Sequence, residues 1–216
     1  LNMQKTPLYM PENHMEKLYS ADNFFVRYVH LNRLDNIVKT MPSQDGMKVL
    51  DAGCGEGHLL EKLYNRNKSN RYYGIDLTQE ALDMATRRCP DTHFIKADLS
   101  KLDFEDNFFD FITCTETLEH VDEYQAVLAE FKRVLKPGGL LVVTFPNEVL
   151  WTISRFLLGR RPIRVVDHIN FFTPRRMSRE VDLIFTHAQM NLQRLRKIGI
   201  DKSKIHMVYR GIYCKH

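Results

Sequence analysis

Two acids and three glycines stand within seven residues at Asp51-Ala52-Gly53-Cys54-Gly55-Glu56-Gly57. Glycines at that density let a ligand touch the backbone, and the Asp51 and Glu56 carboxylates would repel a phosphate and attract an ammonium or sulfonium. A second group, Glu116-Thr117-Leu118-Glu119-His120, sets two carboxylates and an imidazole at i, i+3 and i+4, one face of the segment if it is helical. A third candidate, His168, sits in Asp167-His168-Ile169-Asn170-Phe171-Phe172-Thr173-Pro174. A neutral imidazole, with an ordinary pKa of about 6.5, suits removal of a proton from a substrate hydroxyl.

The flanking residues define what must position these groups. Lys48-Val49-Leu50 reads as the end of a buried strand, and Leu59-Leu60-Glu61-Lys62-Leu63-Tyr64 resumes with helical spacing, so the acidic turn joins a strand to a helix. A pyrophosphate would need bare N–H groups at that helix start. The glycine spacing is also G-x-G-x-G, not the G-x-G-x-x-G of dinucleotide sites. Charge and spacing together point to S-adenosylmethionine rather than NAD and disfavour an oxidoreductase.

The stretch Asp51 to Gly57 resembles the first motif of the class I S-adenosylmethionine-dependent methyltransferases. The resemblance runs through most of residues 47–150 and is strongest to the small-molecule, ubiquinone-biosynthesis type. It implies an α/β fold: a Rossmann-like mixed sheet of seven strands, order 3-2-1-4-5-7-6, with helices on both faces. It also implies S-adenosylmethionine as cofactor, S-adenosylhomocysteine as product, and contacts from Asp51, Gly53, Cys54, Gly55 and Gly57. Arg71 to Asp76 is the expected second strand, and its terminal acid can accept hydrogen bonds from both ribose hydroxyls. Leu77 is expected against the adenine, Asp98 at the adenine amine after the third strand His93 to Ala97, and Leu99 and Thr115 beside them. Asp76 and Asp98 could instead cap the turns that follow them.

Phe108 to Cys114 is the expected fourth strand, delivering Glu116, Glu119 and His120 to the strand tips where a doubly wound sheet binds its ligand. Three readings stand. His120 is a general base, with Glu116 beside it and His168 as the second candidate; or the three side chains hold a divalent cation that acidifies the acceptor hydroxyl, which is not favoured; or they are structural partners. No Asn-Pro-Pro-Tyr-type motif follows the strand, which argues against the amino nitrogens of adenine or glutamine as acceptors.

Elsewhere, Phe24, Phe25, Tyr28, Val29, Leu31, Leu34, Ile37 and Val38 recur at helical spacing until Met41-Pro42, predicting a helix, which the resemblance implies covers the cofactor cleft. Thr78 to Arg88 and Gln125 to Leu135 read as helices, with Lys136-Pro137-Gly138-Gly139 ending the second before a fifth strand from Leu140. The division expected is one domain over 1–216: tail and cap helix to 45, cofactor half 46–146, an insertion or lid 147–174, and a terminal part 175–216. That part carries a helix from Pro174 to Met190, capped by Thr173, and strands over 192–200 and 205–213.

Length, 44% hydrophobic and 27% charged residues suit a globular protein with a sizeable core. No apolar run approaches the roughly 20 residues of a membrane span, and Leu1 to Glu16 is polar, so a cytoplasmic protein is expected. Cys54, Cys89, Cys114 and Cys214 lack metal-site spacing and read as free thiols. Residues 1–151 hold 17 Lys and Arg against 23 acids, whereas 152–216 hold 14 against 4. The basic third, with seven arginines and one acid between 152 and 179, fits an acceptor with an apolar body and an anionic group, or contact with an anionic membrane surface through 151–164. The expected reaction is methyl transfer to an oxygen, ahead of a carbon or nitrogen, of a small molecule, without nucleic acid; the alternatives are an RNA methyltransferase using the basic third, or a non-catalytic module that keeps the cofactor site.

Overall fold

The structure is a computed structural model. It describes the backbone of residues 24–145, 169, 170, 172, 176, 177, 206–209 and 212–214, and the side chains of 31–145, 169, 170, 172, 176 and 177. The elements alternate: α1 (Phe24–Thr40), β1 (Lys48–Ala52), α2 (His58–Arg66), β2 (Arg71–Asp76), α3 (Gln79–Arg88), β3 (His93–Lys96), β4 (Phe109–Thr115), a single 3₁₀ turn (Leu118–His120), α4 (Tyr124–Val134), β5 (Leu135–Phe145), β6 (His206–Tyr209) and β7 (Ile212–Cys214). Strands β3-β2-β1-β4-β5 pair in parallel, the Rossmann-like α/β arrangement in which β1 and β4 flank the switch in strand order. The expected outer edge, with the seventh strand between the fifth and sixth, is not confirmed. Both outer strands come from within 205–214, β6 parallel to β5 and β7 antiparallel to β6, while 192–200 lies outside the described residues.

Alternation along the central strands sorts the core into two layers. Leu50 and Ala52 of β1 and Ile112 and Cys114 of β4 join Val127, Leu128 and Phe131 of α4 on one face. Val49 of β1 and Phe111 of β4 join Leu34 and Ile37 of α1 and Leu59, Leu60 and Leu63 of α2 on the other. Successive side chains of a strand point to opposite faces, so a strand covered on both faces reads as an unbroken apolar run. The sheet is thereby anchored on both faces, and its strand tips are held at fixed positions.

Two sequence expectations shift. Helix α4 ends at Val134, one residue early, and Lys136-Pro137-Gly138-Gly139 belongs to β5 rather than to a terminator before it. The register slips there: Phe109 faces Leu135 and Phe111 faces Leu140, so Asp110 alone opposes the four residues. Gly138 takes φ +78°, the left-handed region a bulge needs, and Lys136 Nζ donates to both Asp110 oxygens at 2.8 and 2.9 Å across it. Of the expected helix over Pro174 to Met190, Arg176 and Met177 are described and both are helical.

Candidate functional site

The acidic turn is shaped by the tip of β2. Gly53 and Cys54 N–H groups both donate to the Ile75 carbonyl at 2.8 and 2.9 Å, and the Gly55 N–H donates to Asp76 Oδ2 at 2.9 Å. Gly53, Gly55 and Gly57 take φ +76°, +51° and +81°. At Gly53 the left-handed backbone is compounded by a close approach, because a Cβ there would lie 2.3 Å from Thr117 Oγ1. The glycine turn and the Glu116–His120 turn are therefore in van der Waals contact.

Asp76 holds three hydrogen bonds. Besides Gly55, its Oδ1 accepts from the Thr78 N–H at 2.9 Å and the Thr78 hydroxyl at 2.8 Å. The turn-capping reading and the binding reading describe the same side chain, since a carboxylate has about four acceptor sites and the Thr78 hydroxyl can rotate away. Leu77, 61% exposed, stands beside it. Asp98 is exposed and its Oδ1 accepts from the Ser100 N–H at 2.8 Å, a turn cap, while Leu99 is buried in the core layer of α4.

Asp51 is 2% exposed and accepts from Thr113 Oγ1 at 2.8 Å. Burial pushes its carboxyl up to about 7; the Thr113 bond opposes this and the nearby Asp76 charge adds to it. A buried carboxyl beside a second carboxylate is a position that a cation would relieve. Cys54 and Cys114, also buried here, have thiols driven well up by the same loss of water, which disfavours the thiolate. Glu56 Oε2 lies 3.2 Å from His58 Nε2, and its carbonyl accepts from Arg88 Nε at 3.1 Å.

The acceptor side departs from its sequence reading. Glu116, Glu119 and His120 do not share a helical face, because Glu116 takes φ +50° and only Leu118–His120 form a 3₁₀ turn. A left-handed Glu costs about 1 kcal/mol. It is held by the Glu116 N–H bond to the Thr144 carbonyl at 3.0 Å and by an ion pair, Glu116 Oε2 to Arg33 Nη1 at 2.6 Å. Arg33 comes from α1 and is almost wholly buried. Glu119 is 1% exposed, inside the fold. Among the described residues no group of three or more His, Cys, Asp or Glu side chains could hold a metal ion. Thr115 ends β4 with its carbonyl accepting from Thr117 Oγ1 at 3.1 Å, and the His120 N–H closes the turn on the Thr117 carbonyl at 3.0 Å. His168 and Thr173 lie outside the described residues, as do the side chains of Tyr28 and His30.

Sequence reasoning missed Arg33, Thr113, Thr117 and Asn170. Arg33 had a faint signal, a cation one position before Leu34 in an apolar stripe. The other three had none, because each matters through a partner 52 or more positions away in the chain: Thr113 through Asp51, Thr117 through Gly53, and Asn170 through Leu118, whose carbonyl accepts from its Nδ2 at 3.1 Å.

A glycine turn pinned to an acid at the next strand tip, at the carboxyl end of a parallel sheet, defines a nucleoside-cofactor site of the Rossmann-like class. The methyltransferase domain family matches residues 50–143. The chain is 30% identical over 162 residues to the ubiquinone biosynthesis O-methyltransferase of Shewanella sp. (strain ANA-3), covering 69% of this chain and 67% of that protein. It is 36% identical over 110 residues to the demethylmenaquinone methyltransferase of Staphylococcus saprophyticus, 49% of this chain and 47% of the relative, so it spans about half the length of such relatives. An S-adenosylmethionine-dependent methyltransferase from Thermotoga maritima shares the fold, with a TM-score of 0.61 over 80% of this chain and 76% of that one at 20% identity. The chain belongs to the class I S-adenosylmethionine-dependent methyltransferases, whose cofactor is S-adenosylmethionine. No helix among the described residues is long and apolar enough to cross a membrane.

Proposed function

We propose that the protein transfers the methyl group of S-adenosylmethionine to an oxygen of a small, quinone-related acceptor. The observation that carries the reading is the buried Asp51 carboxyl, lifted to about 7 by burial and by Asp76, behind a glycine turn whose Gly55 N–H is bonded to Asp76. That pair of carboxyls matches a ligand with a cationic head and a ribose.

In this reading Asp51 offsets the cofactor's positive charge, the Gly53 to Gly57 backbone with Cys54 lies along its amino-acid part, and Asp76 accepts from the ribose hydroxyls as Thr78 Oγ1 releases it. Leu77 and Leu99 flank the base, Asp98 accepts from its exocyclic amine, and Thr115 faces the donor from the tip of β4. Bound there, the cofactor supplies a methyl activated by its sulfonium. His120 takes the acceptor's hydroxyl proton as the new bond forms, with His168 as the alternative base. Holding the acceptor oxygen in line in a dry cleft contributes most of the acceleration. Glu116 acts through Arg33, fastening α1 to the tip of β4, rather than through a metal.

The acceptor class draws on the relatives, one named a ubiquinone biosynthesis O-methyltransferase and the other a demethylmenaquinone methyltransferase. The basic balance of 152–216 adds support for an acceptor with an anionic or amphiphilic part, and for contact of 151–164 with an anionic membrane surface.

Labelled methyl transfer into a panel of catechols, quinols and amines tests this. Label is expected on catechol or quinol oxygen, and His120→Ala should lower kcat about 10²-fold while adenosylhomocysteine binds as before. Binding of NAD without S-adenosylmethionine overturns the reading; full activity of His120→Ala transfers the base to His168.

A further inference from the structure

Asn170 stands 50 residues beyond His120 yet is bonded to the turn that carries it. Its Nδ2 donates to the Leu118 carbonyl at 3.1 Å and to the Val121 carbonyl at 2.5 Å, the two ends of the 3₁₀ turn. Its backbone N–H donates to the Glu119 carbonyl at 3.1 Å, and the neighbouring Ile169 N–H donates to the same oxygen at 2.9 Å. Three carbonyls of the segment 118–121 therefore accept from two successive residues of a distant stretch, the Leu118 carbonyl accepting from the Val121 N–H as well. A 3₁₀ turn has poor internal hydrogen-bond geometry and is rarely stable beyond one turn, and a buried carbonyl left without a donor costs about 1–3 kcal/mol. Within the turn the His120 N–H donates to the Thr117 carbonyl and the Val121 N–H to the Leu118 carbonyl.

The stretch that supplies these donors is itself fixed. Phe172, two residues on, is buried with its ring edge-on to Tyr124 at 5.0 Å and tilted against Phe145 at 5.6 Å, joining α4 to the end of β5. Met177 is fully buried in the same layer. Ile169, half exposed, is left on the outer side of the bonded pair. Asn170 thus faces the turn from a segment clamped independently of it.

We propose that Asn170 is a positioning residue: by bridging the Leu118 and Val121 carbonyls it sets the turn that presents His120, and makes the acceptor side of the site depend on the segment after His168. This rests on His120 being the base. A primary carboxamide suits the task because both of its N–H bonds can be given to carbonyls at once. An Asp of the same shape would offer only acceptors to those carbonyls.

The test compares Asn170→Asp and Asn170→Ala in the full chain. Amide hydrogen exchange reports the clamp without any acceptor. The His120 and Val121 amides should exchange at least tenfold faster in both variants while amides of β1 and β4 keep their rates. Unchanged exchange at 120 and 121, or an equal acceleration across the β1 and β4 amides, overturns the proposal. Turnover with 3,4-dihydroxybenzoate as acceptor and labelled donor reports the consequence. Asn170→Asp should lower kcat about tenfold at unchanged affinity for adenosylhomocysteine, and should cost nothing further in a His120→Ala background. An additive loss in the double variant sinks the link to His120. If His120→Ala alone is fully active, the choice of base has failed, while the exchange result still decides whether Asn170 sets the turn.

Discussion

The donor and acceptor sides of the site are built by different means. On the donor side the supporting bonds described above lie within residues 50–113, chiefly between the tips of β1 and β2: Gly53 and Cys54 to Ile75, Gly55 to Asp76, Asp76 to Thr78. These contacts follow from strand pairing and a glycine turn, both of which leave a mark in the sequence. On the acceptor side a left-handed Glu116 and a 3₁₀ turn are held from outside, by Arg33 of α1 and by Asn170. The donor side holds its own shape, whereas the acceptor side takes its shape from what packs on it. Donor recognition should therefore fail only when its own residues change, while acceptor geometry should fail at residues that touch no ligand.

The largest expected effect is on the donor side and in stability. The Asp51 carboxyl, at about 7 in the folded protein against 3.8 ordinarily, has a raised pKa. The stability this one group contributes is therefore fullest below about pH 4 and is lost as pH rises towards 7, by about 4 kcal/mol for a shift of that size. Asp51→Asn should melt near the parent at pH 4.5 and well above it at pH 8 without ligand, while binding the donor less tightly. Equal melting temperatures at pH 8 would show that the buried charge is already compensated.

Next comes Gly53→Ala, where a Cβ 2.3 Å from Thr117 Oγ1 must be accommodated on a backbone at φ +76°. Overpacking and strain together cost about 3 kcal/mol. Calorimetry should find donor affinity reduced about a hundredfold, with the acceptor turn displaced as well because Thr117 belongs to it. An unchanged affinity would mean that the two turns are not in contact.

Glu116→Gln separates the two sides. It leaves the buried Arg33 without its carboxylate, so denaturant unfolding should show a loss of about 3 kcal/mol, and donor contacts of Asp76 should be retained. A loss under about 0.5 kcal/mol would show that the pair is open to water.

The smallest expected effect ranks two acids of the donor side. Asp76→Asn should weaken donor binding by about 2 kcal/mol, since a charge-assisted acceptor and the Gly55 anchor are lost together. Asp98→Asn, at an exposed turn, should weaken it only a few-fold. A reversal of that order would place the ribose elsewhere.

Much of the sheet was legible because a strand buried on both faces is a continuous apolar run. The glycine turn was legible because a left-handed backbone admits few residue types. The Lys136 to Gly139 segment was misread as a terminator: proline and glycines signal a break in regular structure, and a bulge inside β5 produces the same signal. Glu116 to His120 was misread in the same spirit, since spacing of three and four matches a helix whether or not one forms. What escaped entirely were single polar residues acting at long range, Arg33, Thr113 and Asn170, each ordinary in its local sequence.

The sequence by itself determined the family, the strand–turn–helix at 48–66 and the acid at 76, because local backbone preferences and charge are properties of neighbouring residues. The tertiary structure alone decided that Asp51 is buried enough to hold its proton near neutral pH, that Glu116 answers to Arg33, and that Asn170 sets the turn at His120. Desolvation and buried pairing depend on what the rest of the chain brings alongside, and no spacing along the chain carries that information.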